Sequence, residues 1–301
     1  IGDPVAVVAA ETREQALAAV AAVRVEYEPL PALGSPHEAM AEGAPQIHSE
    51  WANLCLTQPQ IKGDAARAFA EAAHVVEGHY HTQMVHQAPL EPEVCLAFFD
   101  GEGDDAQLVV VGRSINIHKH LAMLQEATGW EDMRYEEAYV GGQFGIKIDV
   151  TSEGIAAAAA LHFRRAVRYI PSLPESMYLS PKRHPFDVKV KVAADAEGNL
   201  TALGMDVVID NGAYNSMGNV VMNRAMMMLS GSYNFPAVDA RARLVYTNNP
   251  WGAAARGAGP PQVNYALESA VDRLAREMKI DPLEFRRRNS LRPGQSKSTG
   301  Q

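Results

Sequence analysis

The chain has 301 residues, 47% of them hydrophobic and 21% charged, with a net charge of −9 at pH 7. That length can bury one large core or two ordinary ones, and the acidic balance argues against a nucleic-acid partner, which selects for clustered positive charge. No apolar run reaches membrane-spanning length, and the two cysteines, Cys55 and Cys95, exclude a four-cysteine iron–sulfur or zinc site within the chain and are expected to be reduced.

Residues 3–10 alternate as a strand would. Thr12 and Gln15 make a T-x-x-Q capping box for an Ala-rich helix to about Val23. VRVEYE (23–28) predicts a second strand, and residues 35–50 read as linker. The chain thus opens at Ile1 already inside a pattern and closes in the polar stretch RPGQSKSTGQ, as an excerpt of a longer protein would.

From Trp51 a longer alternation begins. The spacing predicts a short helix at 64–73, strands at 74–83 and 93–100, the turn DGEGDD, and a strand at 106–112. A helix over 115–128 should stop at Gly129 in the left-handed conformation. Strand 133–140 then enters YVGGQFGIK, and helix 151–164 leaves it.

Farther on, 186–196 and 200–210 read as two strands around AEGN. The Met-rich stretch 220–229 reads as a helix, and 240–247 as a strand. A second glycine loop, WGAAARGAGPPQ, feeds a helix whose Leu267, Ala270, Val271, Leu274 and Met278 form one apolar stripe. DPLEFRRRN predicts one more short helix. There is no internal repeat.

The arrangement of strand, glycine loop and helix therefore occurs twice. Glycine lets backbone N–H groups approach a ligand closely, and a helix start adds partial positive charge. Neither loop has the spacing of a P-loop or a dinucleotide fingerprint. Arg256 lies inside the second loop, where a guanidinium can oppose an anion, although a surface ion pair would serve equally well.

Four segments in this order and spacing, VGGQFGIK, NVVMNRA, WGAAARGAGPPQ and DPLEFRRRNSLRPG, resemble the molybdenum-binding subunit of the xanthine dehydrogenase/aldehyde oxidase family. RSINIHKHL and KRHPFDVKVKVAADAEGNLTAL are most similar to its bacterial mononuclear molybdenum aldehyde oxidoreductases. The resemblance implies an α+β fold: residues 1–50 as the end of an α/β hammerhead domain plus linker, and 51–301 as the first molybdopterin-binding domain. It implies molybdopterin cytosine dinucleotide as cofactor, held by Gly142, Gln143, Phe144 and Gly145 of the first loop and by Ala255, Arg256 and Gly257 of the second. Arg224, Ile148 and Ala258 would line the substrate pocket, with a helix-end charge as the plain reading of Arg224.

Three positions depart from the family pattern. Ala255 and Ala258 stand where an aromatic residue is common, which removes stacking worth about 0.5–1.5 kcal/mol and widens the pocket. Ile148 stands where purine hydroxylases carry a glutamate. The implied reaction is oxidation of aldehydes to carboxylic acids with water as oxygen source. The implied partners are the remaining half of the molybdenum-binding region, a [2Fe–2S] domain or subunit, a flavin subunit and a small aldehyde, in the cytoplasm or, alternatively, the periplasm. The family's general-base glutamate is expected beyond residue 301, so 301 residues alone should be inactive; Glu153 reads instead as a charge at a helix start.

Rival readings are an N-heterocycle hydroxylase of nicotinate or isoquinoline type, a non-catalytic cofactor-holding module, and a metal-dependent hydrolase. The last would use His79, His81 and His86 with Glu91 and Glu93, since His-x-His on a strand points both rings to one face. The Met222 and Met226–Met228 group reads as adaptable packing.

Overall fold

The computed structural model describes residues 2–103 and 106–300, so Asp104 and Asp105 of the expected DGEGDD turn lie outside the described residues. The chain divides into two compact units, each assembled from discontinuous stretches. One comprises Ile1–Pro31, His86–Lys182 and Ala254–Arg256; the other comprises Ala32–Val85, Arg183–Ala253 and Gly257–Gln301. Among the described residues no helix is long and apolar enough to cross a membrane.

In the first unit, α1 (Arg13–Ala22) carries the expected capping box, Thr12 and Gln15 bonding reciprocally, and buries nothing. The flanking segments 3–10 and 23–28 are not strands. Alternation reports an amphipathic segment, but a strand also needs a partner for its N–H and C=O groups. Neither segment pairs with another, and Val5 and Val7 stand exposed.

The remainder of this unit is a four-stranded sheet in the order β5-β4-β3-β6, built from β3 (Cys95–Asp100), β4 (Gln107–Gly112), β5 (Met133–Glu137) and β6 (Val167–Tyr169). β4 and β5 are parallel, so the chain must cross over between them, and α4 (Ile117–Thr128) makes the crossover. Asn116 caps α4 by accepting from the Lys119 amide, and Gly129 ends it at φ +68°, as its position predicts. α5 (Ser152–Phe163) lies on the sheet with Ala156, Ala157 and Ala160 inward. Small side chains there let helix and sheet approach closely around Leu108, Val110 and Leu124. A further helix, α6 (Leu173–Leu179), opens with a Ser172/Glu175 capping box.

The second unit has a five-stranded sheet in the order β1-β10-β9-β8-β2: β1 (Leu54–Lys62), β2 (His74–Thr82), β8 (Phe186–Ala194), β9 (Leu200–Gly212) and β10 (Ala237–Tyr246). Every neighbouring pair is antiparallel except β9 and β10. Along β8, Phe186, Val188, Val190 and Val192 point into the core while Asp187, Lys189 and Lys191 point out, the alternation of a sheet with one solvated face. On the core face lies α8 (Pro260–Glu277), with Leu267, Ala270, Val271 and Leu274 of the predicted stripe fully buried and Met278, just past the helix end, partly buried. Met222 and Met226 of α7 (Gly218–Met227) join the same core, as expected of that group, whereas Met227 and Met228 are exposed. The other short elements are the helices α2 (Pro36–Ala39), α3 (Ala65–Ala70) and α9 (Pro282–Asn289), the two-residue strands β7 (Lys182–Arg183) and β11 (Gly252–Ala253), and, in the first unit, a 3-10 turn at Ile146–Ile148.

His184 is enclosed in this second unit, its Nε2 3.2 Å from Asn211 Oδ1. Gly252 makes room for it, since a Cβ there would sit 2.4 Å from the imidazole ring. Burial pushes the imidazole down to about 4. The unfolded chain therefore takes up this proton first, and stability falls as pH drops from about 6.5 towards 4, by about 3 kcal/mol for a shift of this size. Chemical-denaturation curves at pH 7 and pH 4 should show a loss that is smaller in His184→Gln; an equal loss in both proteins would remove this residue as its source.

Candidate functional site

The two glycine loops meet within the first unit. β5 leaves the sheet at Glu137 and the chain turns through Gly141, Gly142 and Gly145. Gly142 has φ +94° and Gly145 φ +106°, conformations that side chains disfavour. Gly145 also has no room for one, because a Cβ would lie 2.3 Å from the Ala254 carbonyl oxygen. Beside that contact the Arg256 amide donates to the Phe144 carbonyl at 2.9 Å, and Gln87 Nε2 donates to the Ala254 carbonyl at 2.7 Å. Phe144, the first loop's tip, is itself left-handed at φ +47° and partly exposed, at a cost of about 1–2 kcal/mol.

A carboxylate anchors the first loop. Glu91 accepts from the Gly141 amide at 2.8 Å, from Lys147 Nζ at 2.7 Å and from Arg113 Nε at 2.9 Å. Lys147 is almost wholly buried, and a buried ammonium needs such a partner. Burial works to raise the Glu91 carboxyl, but Lys147, the Gly141 amide and Arg113 together hold it below its ordinary range. Glu91 stood in the sequence as one of five metal-ligand candidates, and its link to Lys147, 56 positions away, had no local signal. The one available hint was a lysine between two isoleucines just after the loop.

The loop amides divide into two sets. Gly141 N is taken by Glu91, Gly145 N by Gln143 Oε1 at 2.6 Å, and Ile146 N by the Gln143 carbonyl at 2.8 Å. Among the described residues no hydrogen bond occupies the amides of Gly142, Gln143 or Phe144. Three consecutive unclaimed donors, beside the glycine-enforced approach of Gly145 to Ala254, fit a group presenting oxygen acceptors. These backbone donors suit an oxo- or phosphate-bearing cofactor.

The other predicted positions are placed as follows. Ala255 is buried and the Arg256 side chain exposed. Ile148 is half-buried directly after Lys147. Gly257, Ala258 and Arg224 belong to the second unit. There, Gly259 presses on α7, where a Cβ would meet the Val221 carbonyl at 2.3 Å, and Arg224 is exposed on the last turn of that helix. Ala258 is left-handed at φ +45°. Glu153 is buried at the start of α5 beside the Tyr135 hydroxyl (3.3 Å) and the Thr151 amide (3.3 Å), and burial raises its carboxyl. Its carboxyl thus reaches back to the amide of the residue before its helix.

The five-residue metal set does not assemble as expected. His79 and His81 do share one face of β2, with rings 4.3 Å apart. His86, however, bonds Ser180 Oγ at 2.9 Å, Glu93 is buried against Ser176 Oγ at 2.7 Å, and Glu91 is the loop anchor. The polar groups nearest to each won these side chains.

A model of the molybdopterin cofactor-binding domain matches residues 47–290. The chain belongs to that family. This molybdopterin cofactor-binding chain is 36% identical over 303 residues to the aldehyde oxidoreductase of Megalodesulfovibrio gigas, covering all of this chain and 33% of the relative. It is 33% identical over 302 residues to the nicotinate dehydrogenase large molybdopterin subunit of Eubacterium barkeri, covering 100% of this chain and 70% of that subunit. The solved aldehyde oxidoreductase from Desulfovibrio gigas superposes with a TM-score of 0.92 over 97% of this chain and 32% of the other. The chain therefore spans about a third of the aldehyde oxidoreductases it matches. The expected α+β architecture of mixed sheets and helices, and membership of the xanthine dehydrogenase/aldehyde oxidase family, stand; nicotinate- and aldehyde-oxidising relatives lie at similar distance, so the family does not fix the substrate.

Proposed function

We propose that this chain is the cofactor-cradling portion of a molybdenum hydroxylase that oxidises aldehydes to carboxylic acids, with water as oxygen source. The observation that carries the reading is the junction between the loops: the Arg256 amide bonded to the Phe144 carbonyl, next to three unclaimed amides. The whole-chain similarity to aldehyde oxidoreductase supports the substrate class. A bound molybdenum–pterin group supplies two-electron oxidation of the substrate carbon.

The chain's own residues hold and orient. The amides of Gly142, Gln143 and Phe144 would receive the oxygen acceptors of that group, and the Arg256 guanidinium would oppose its negative charge. Gly145 keeps the two loops in register, and Glu91 with Lys147 keeps the first loop rigid. Ile148 leaves the neighbouring surface apolar and disfavours purines. We assign residues 1–50 to the end of a hammerhead domain and 51–301 to the first molybdopterin-binding domain, with the cytosine dinucleotide form as cofactor. The general base, the [2Fe–2S] clusters and any flavin would belong to other segments or subunits of the parent protein.

The nicotinate dehydrogenase relative favours one rival, hydroxylation of an N-heterocycle. The intact protein containing this chain should oxidise aldehydes with kcat/KM well above that for nicotinate or isoquinoline. Hydroxylation of the heterocycles with aldehydes left untouched would overturn the reading. The 301-residue chain alone should show no turnover.

A further inference from the structure

On the solvated face of the second unit, three potential ligands converge that the cofactor-cradling role does not use. His79 and His81 stand two apart on the edge strand β2, and Asp187 lies across the ladder on β8, directly opposite His81. His79 Nε2 is 2.5 Å from Asp187 Oδ1, and His81 Nδ1 is 3.7 Å from Asp187 Oδ2. One ligand atom from each of the three lies within 4.8 Å of the others. His37, at the start of α2, bonds Asp187 Oδ2 at 2.8 Å.

We propose that His79, His81 and Asp187 form a binding site for a divalent zinc-type cation, with His37 orienting the carboxylate. Two imidazoles and a carboxylate are a donor set that suits zinc and its late first-row neighbours, and disfavours Mg2+ and Ca2+, which take oxygen ligands. Zinc bonds of about 2.0–2.2 Å put tetrahedral ligand atoms roughly 3.3 Å apart, within the spread these three already show. The strand ladder fixes all three backbones, so only side-chain rotation is needed. The second carboxylate oxygen is already bonded, as metal-ligating carboxylates require. On the same face Lys189 stands opposite His79, and the next cation, Lys191, is held by Glu77 at 2.9 Å. All three ligands have a solvent-facing side, so the remaining coordination position is open to water or to a donor from a partner. A cation here would also fasten α2 to the strands through His37.

The test is direct and independent of molybdenum. The tag-free chain is stripped with a chelator, then titrated with Zn2+ by calorimetry, with elemental analysis after dialysis and Co2+ absorption as a check on geometry. Stoichiometric zinc with tetrahedral-type Co2+ bands is expected, with Mg2+ in excess failing to compete. His79→Ala/His81→Ala should abolish binding, while His37→Ala should weaken it by roughly tenfold. Circular dichroism confirms that the variants fold. Absence of stoichiometric zinc in the wild type, or its retention in the folded double variant, would overturn the proposal.

Discussion

Gly145→Ala is expected to separate the two glycine loops and to destabilise the chain by roughly 3 kcal/mol or more. Two costs combine. At φ +106° any side chain is strained, and the new Cβ would have to displace the Ala254 carbonyl from 2.3 Å. Backbone is the obstacle, so no rotamer change relieves it. The neighbouring Arg256–Phe144 hydrogen bond should break with it. Gly142→Ala is the internal control: its φ is +94°, but its nearest neighbour is the edge of the Phe144 ring at 3.4 Å. That variant should lose only the conformational strain, about 1–2 kcal/mol. Urea denaturation of the three proteins decides it, and equal losses at the two glycines would mean that the loops are not pressed together.

Glu91→Ala is expected to cost about 3 kcal/mol, because it leaves the buried Lys147 ammonium without its carboxylate partner. The figure sits at the low end of the range since the Glu91 carboxylate is 25% exposed. Glu91→Gln should recover part of the loss by keeping an acceptor for the Gly141 amide, and Glu91→Ala/Lys147→Met should recover more by removing the orphaned charge. Thermal melts of the single and double variants give the coupling. Additive losses would show that the pair does not act as a unit. The sign with pH follows from the depressed carboxyl. Its stabilisation is complete above the ordinary carboxylate range and disappears as pH falls through its lowered native value.

What could be read in the sequence was local. The Thr12/Gln15 box, the Gly129 stop and the α8 stripe depend on residues three to eleven apart, and each formed where the spacing put it. Residues 3–10 and 23–28 misled because alternation carries no information about whether a partner strand is present. The Ser172/Glu175 box is equally local, with Pro174 in the first turn of the helix it opens. The glycine loops announced a close approach without saying to what. Only the folded chain shows Gly145 against Ala254 and Glu91 against Lys147. The same holds for Asp187, which reaches His81 through strand register rather than through proximity along the chain.

The single parallel pairing at the centre of the five-stranded sheet has a kinetic consequence. β9 and β10 cannot join through a tight turn, so residues 213–236 must travel the length of the sheet before the pair can zip. That detour contains α7 and Arg224. Pairing β9 with β10 must therefore repay the loop-closure entropy of a connection that carries α7 with it.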